Sequence, residues 1–133
     1  MILLDTHVLI WMDADDSSLG AVSRKIIDAA WREGQVAVCA ITFWEVAQLV
    51  ERGRISLPVT PNEWRADWLQ AGLVEIPLDG RVALSSVALS LPHRDPADRF
   101  IVAAAIQCQA TLLTADQKIL GWEHSLLRQN AGQ

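Results

Sequence analysis

The chain has 133 residues, 51% of them hydrophobic and 20% charged, which fits one compact domain and excludes a disordered polypeptide. Its longest apolar runs, such as Val36–Ile41 and Ile101–Ile106, fall far short of the roughly 18 residues a membrane span needs, and no secretory leader pattern is visible, so a cytoplasmic protein is expected. The net charge of −5 disfavours a nucleic-acid partner at first sight, but four acids committed to cations would leave the rest near neutral, so placement outweighs the total.

Ile2-Leu3-Leu4 reads as a short buried strand, ended by Asp5-Thr6. From Ser18 to about Arg32, Leu19, Val22, Ile26 and Ala29/Ala30 recur at helical steps, with Gly34 as the stop. Val36–Ala40 is apolar on both faces, as parallel strands are. Thr42 opens a helix striped by Phe43, Val46, Ala47 and Val50 and closed by Gly53. Pro61 begins another, which Gly72 ends; Leu73–Ile76 is a strand, and Asp79 caps a helix to about Leu89. After the charged loop Pro92–Pro96, Asp95 as cap and Pro96 launch a central helix, Ala97–Cys108. Thr111–Thr114 reads as the last strand, followed by Asp116 and a short helix to Leu120. Signals weaken after Trp122, and that tail is expected to be partly mobile. Cys39 and Cys108 sit in apolar stretches and read as buried thiols rather than as a disulfide or metal pair. Alternating strands and helices predict a single α/β domain over residues 1–133 with a mostly parallel sheet.

In such a sheet, ligands bind at the edge shared by strand C-termini and the following helix N-termini. Four acids fall there. Asp5 follows the first strand, Glu45 is in the first turn after the second, Asp98 opens the central helix, and Asp116 follows the last strand. Each has a plain structural reading: Thr42 and Glu45 match a capping box, Asp98 favours a helix dipole, and Asp5 and Asp116 suit turns or caps. Together they carry a cost, because two carboxylates about 5 Å apart repel by roughly 3 kcal/mol at an effective dielectric of 20. A fold that gathers them must protonate some or hold a cation. Oxygen-only ligands favour Mg²⁺ or Mn²⁺ over zinc, and the matching chemistry is phosphodiester hydrolysis by cation-activated water.

The motifs around these acids resemble those of a known family. Leu3-Leu4-Asp5-Thr6-His7-Val8-Leu9-Ile10-Trp11 resembles the opening of PIN-domain proteins, specifically VapC-type toxins of bacterial toxin–antitoxin pairs. Phe43–Ala47, His93–Ala103 and Leu113–Asp116 resemble that family's second, third and fourth motifs, in order and with spacing kept. The resemblance implies a three-layer α/β/α fold and a Mg²⁺- or Mn²⁺-dependent endoribonuclease that cuts RNA, restrained by a cognate VapB-type antitoxin and commonly homodimeric. It places Asp5, Glu45, Asp98 and Asp116 in the acidic quartet, with Asp5 and Asp98 as the most direct ligands. Thr6 and Thr114 are then supporting hydrogen-bonding groups, and Asp95 is assigned to capping. Ala97 stands where many relatives carry a bulky aromatic.

Arg94 and Arg99 flank the third motif and are candidate RNA contacts, as are Arg52 and Arg54 after the second, each against a plain reading as solvated surface charge. His7 and His93 lack metal-ligand spacing and are expected to be structural. Among six tryptophans, Trp44, Trp64 and Trp68 are expected to pack, a homodimer or antitoxin surface being the alternative. Two other classes remain open on the residues alone: a catalytically silent module acting through protein association, and a metal-dependent DNA nuclease or phosphatase.

Overall fold

A computed structural model describes all residues, Met1–Gln133. Five strands form one parallel sheet: β1 (Ile2–Leu4), β2 (Val36–Cys39), β3 (Val74–Ile76), β4 (Thr111–Thr114) and β5 (Arg128–Asn130), in the order β3-β2-β1-β4-β5. Seven helices accompany it: α1 (Thr6–Asp13), α2 (Ala21–Arg32), α3 (Ile41–Glu51), α4 (Pro61–Ala71), α5 (Gly80–Ala88), α6 (Pro96–Gln107) and α7 (Gln117–Leu120). Strand residues alternate between two cores. Leu3 and Leu112 face Ile101, Val102 and Ile119 on one side, while Ile2, Leu4 and Leu113 face Val8, Leu9 and Ile27 on the other. The result is the expected three-layer α/β/α arrangement. No helix is long and apolar enough to cross a membrane.

The central strand β1 is flanked by β2 and β4, so the strand order reverses beside it. That reversal opens a crevice at the C-terminal edge, between chains that diverge in opposite directions. Asp5 leaves β1 there, and Asp116 follows β4.

Several local expectations are corrected. A helix, α1, begins directly after Asp5; its Val8, Leu9, Ile10, Trp11 and Met12 run is apolar nearly all round, so it carries no amphipathic period. α2 starts at Ala21, with Gly20 rather than a serine at its cap and no side-chain cap bond. The segment after Trp122 contributes β5, and Ala131 is fully buried. Arg128-Gln129-Asn130 is polar and short, so only its backbone pairing with β4 reveals it as a strand. Trp44 is 53% exposed rather than packed, whereas Trp64 is buried and Trp68 joins it and Trp31 in edge-to-face contacts. Both cysteines are free thiols.

The chain end is seated on the start of α2. Gly20 N–H donates to Ala131 O at 2.9 Å and Val22 N–H to Gln133 O at 2.7 Å. A Cβ at Gly20 would lie 2.0 Å from the carbonyl carbon of Gln133, the last residue, so the chain end would have to leave its seat on α2. Gly20→Ala is therefore expected to cost about 1–3 kcal/mol and to free the last residues. Thermal melts and limited proteolysis of the C-terminal segment check this.

Candidate active site

Asp5 caps α1: its Oδ1 accepts the Thr6 amide at 2.8 Å, and its Oδ2 accepts the Thr114 hydroxyl at 2.7 Å. The side chain is thus a cap and a site residue at once, held across paired strands while only 2% exposed. The Thr114 hydroxyl also accepts the Asp116 amide at 3.0 Å, which ties the second acid to the first.

Glu45 does not form the capping box that is the plain alternative to a site role. α3 begins at Ile41 without a side-chain cap, and the Thr42 hydroxyl lies 3.0 Å from that of Thr6. Thr6 donates its only hydroxyl hydrogen to Glu45 Oε1 at 2.5 Å, so Thr42 is the donor to Thr6. This relay from α3 through α1 and back to α3 aims Glu45 at the crevice.

Asp116 caps α7, its Oδ1 accepting the amides of Lys118 at 2.8 Å and Ile119 at 3.3 Å. Its Oδ2 meets His93 Nε2 at 2.8 Å, and the same nitrogen lies 3.0 Å from Asp98 Oδ2. His93 Nδ1 accepts the Asp95 amide at 3.3 Å, which puts the ring proton on Nε2, shared between two carboxylates. His93 is therefore part of the acid cluster, a place the sequence spacing did not indicate. Its one sequence signal is position, in the loop just before the α6 cap. His7 is a brace by its contacts: Nε2 accepts the Ala115 amide at 2.9 Å, and the ring meets Trp11 edge-on.

Asp5, Glu45 and Asp98 line a shallow cleft of about 140 Å³ with Thr6, His7, Ile10 and Leu49. Asp116 joins this group through His93, not by lining the cleft. Asp95 caps α6 as expected, accepting the Ala97 amide at 3.0 Å, yet it also has a carboxylate oxygen within 4.8 Å of Glu45 and Asp98. Its spacing of three residues from Asp98 on a helix start is the signal that could have shown this. A larger hollow of about 300 Å³, between the far end of α6 and residues 124–127, contains no carboxylate.

The crowding has a clear electrostatic consequence. Burial, reinforced by Asp5, Asp95, Glu45 and Asp116, pushes the Asp98 carboxyl up to about 8. Burial also raises Glu45, with Asp5 and Asp95 adding to it and the Thr6 hydroxyl opposing. For Asp116 burial acts upward too, but the His93 hydrogen bond and the α7 amides outweigh it and hold the group below its usual range. None of these carboxylates pairs with a lysine or arginine. The anionic cluster is compensated within the chain only by hydroxyls, amides and two imidazoles: that of His93, and that of His7, whose Nδ1 lies 3.7 Å from Asp5 Oδ2. Hard oxygen donors in this excess fit a divalent cation, which Glu45, Asp95 and Asp98, or Asp98 and Asp116 with His93, could hold, since their ligand atoms lie within 4.8 Å of one another; Asp5 lines the same cleft but belongs to neither group.

The two arginines of the third motif part company. Arg94 is exposed and bonded to nothing in the chain. Arg99 is drawn inward and donates to the carbonyls of Ser86, Leu89, Leu91 and His93 at 2.6–2.9 Å. It closes the carbonyl end of α5 and fixes the loop that carries His93. Arg99→Ala is expected to lower stability by about 2–4 kcal/mol through unsatisfied carbonyls, with no rescue by lysine, which lacks the planar fork. Denaturant titration of both variants tests the assignment; an unchanged midpoint for Arg99→Ala would contradict it.

A family model described as PIN domain matches residues 2–120. Ribonuclease VapC22 of Mycobacterium tuberculosis is 34% identical over 125 residues, covering 92% of each chain. Among solved structures, VapBC2 from Rickettsia felis, bound to a DNA fragment from its promoter, superposes with a TM-score of 0.72 at 17% identity over 98% of both chains. A toxin–antitoxin complex from Klebsiella pneumoniae gives 0.63 at 22% identity, covering 92% of this chain and 93% of that one. At these identities the two structures speak for the fold.

Proposed function

The chain belongs to the PIN-domain family, and from that premise we propose that it is a divalent-cation-dependent endoribonuclease toxin held in check by a VapB-type antitoxin. The observation that carries this reading is the pile-up of carboxylates around Asp98, whose carboxyl is raised to about 8 and which no lysine or arginine pairs. A fold gains nothing in stability from such a cluster, and its use is to hold a cation at a reacting phosphate.

Asp5 and Asp98 are the direct ligands in this proposal, and Glu45 and Asp116 complete the set partly through water. When bound, Mg²⁺ or Mn²⁺ supplies Lewis acidity toward phosphate oxygens and acidifies water enough for attack near neutral pH. The chain's own side chains do the positioning. Thr114 fixes the rotamer of Asp5, and Thr6 fixes that of Glu45. His93 holds Asp98 and Asp116 together, so the cluster is organised before substrate arrives. Arg94, free and next to His93, is a contact for an RNA phosphate. The anionic cleft equally suits a basic side chain from the antitoxin, which would compete with the cation. A homodimer and a cytoplasmic setting, where RNA is translated, accord with this reading.

The test is a substrate panel. Purified protein is incubated with single-stranded RNA, single-stranded DNA and a phosphomonoester, with Mg²⁺, with Mn²⁺ or with chelator. Internal cleavage of RNA, dependent on the cation and absent in Asp5→Asn, is the expected outcome. Cleavage confined to DNA or the monoester would move the protein to another hydrolase class. Toxicity that survives Asp5→Asn would favour a silent binding module.

A further inference from the structure

Beyond the acid cluster, the surface of α3 carries an unabsorbed pattern. Trp44, Gln48 and Arg52 recur every four residues, which makes them neighbours on one strip of the helix. Arg52 is also seven residues beyond Glu45, about 10 Å along the axis and nearly in line with it. Trp44 is half-exposed and has no aromatic partner. Arg52 and Arg54 are exposed and make no ion pair or side-chain hydrogen bond, whereas Arg24, Arg65, Arg99 and Arg128 are spent on carboxylates or backbone carbonyls.

An exposed indole beside an acid-bearing position, followed by an amide and two unpaired guanidiniums, is the composition of a single-strand platform. Aromatic faces stack on any base, and free guanidiniums follow the backbone. A protein of net charge −5 gains most from such a local positive track, because its overall field repels the substrate. We infer that the α3 strip is a binding subsite for single-stranded RNA, with Trp44 stacking a base near the cleaved bond and Arg52 and Arg54 holding phosphates farther along. The inference rests on the ribonuclease reading and adds the path of the strand: Arg94 on one side of the cluster, the α3 strip on the other.

The experiment uses full-length Asp98→Asn protein, which keeps the strip and stops cleavage, with a short labelled single-stranded RNA of mixed sequence. Trp44→Ala should weaken binding about tenfold, and Trp44→Phe should recover most of the loss. Arg52→Ala/Arg54→Ala should weaken binding and reduce the slope of log affinity against log salt by about 1.4, two single-strand contacts' worth. Arg32→Ala, an exposed arginine at the end of α2 and outside the strip, is the charge control and should leave the slope unchanged. Strip variants that match Arg32→Ala overturn the inference, as do strip variants that keep RNA binding but lose self-association or a protein partner. Wild type that cleaves RNA while the strip is inert sinks the inference alone; wild type that neither binds nor cleaves RNA sinks the ribonuclease reading with it.

Discussion

Asp98→Asn is expected to lower RNA cleavage by about 10³-fold while making the cation-free protein more stable, not less, at pH 8 and above. The two effects have one origin. Asp98 is half-buried among Asp5, Asp95, Glu45 and Asp116, which together with burial push its carboxyl up to about 8. A folded-state value above the unfolded one means that native stability falls as pH rises from about 4 toward 8, then levels off. Asparagine keeps the shape and the contact to His93 but carries no charge, so it escapes that loss. Solvent reaches the cleft and screens the repulsion, which leaves a gain of about 2 kcal/mol, or several degrees of melting temperature. The difference between wild-type and variant melting curves should therefore vanish near pH 4 and be fully open by pH 8. A variant that loses activity and stability together would mark Asp98 as a packing residue.

The second large effect concerns the cation. Saturating Mg²⁺ or Mn²⁺ should raise the melting temperature of wild type by about 10 °C, because occupancy at 100 times the dissociation constant contributes roughly 2.7 kcal/mol. The shift should grow with pH up to about 8, since below that value the cation must displace the Asp98 proton. It should shrink strongly in Asp5→Asn, whose carboxylate is the most buried of the set. Calcium at the same concentration is the useful comparison, because it shares the charge while preferring a larger, more flexible oxygen shell. Differential scanning fluorimetry across pH, with and without chelator, reads all of this in one series.

The sequence shows most of what the fold does with these acids, for a physical reason. Asp5, Asp98 and Asp116 each stand at a helix start, and capping chemistry leaves a residue-level mark there. α5 and α6 were legible through Asp79, Asp95 and Pro96 for the same reason. What stayed hidden depends on contacts between distant segments. Thr42 and Glu45 have the spacing of a local capping box, yet Thr6, 36 residues before Thr42, wins the Thr42 hydroxyl and bonds Glu45 as well. His93 and Asp95 read as loop and cap until the approach of α7 and α3 turns them into members of the cluster. Arg99 looks like a surface cation in the motif, but the carbonyls of Ser86 and Leu89 at the end of α5 and of Leu91 and His93 in the loop beyond it draw it in. β5 is held by backbone pairing with β4 and by Arg128 donating to the carbonyls of Ile119, Trp122 and His124, contacts that leave no hydrophobic pattern in Arg128-Gln129-Asn130.

Proton release on cation binding gives the sharpest discrimination. Mn²⁺ is titrated calorimetrically into wild-type protein at pH 7 in buffers of different ionisation enthalpy, and the heats are compared. Saturable binding with close to one proton released per site, and no saturable binding in Asp98→Asn, is the predicted result. Binding that releases no proton, or that is equally tight in the variant, would mean that the carboxylates converging on Asp98 do not hold the ion.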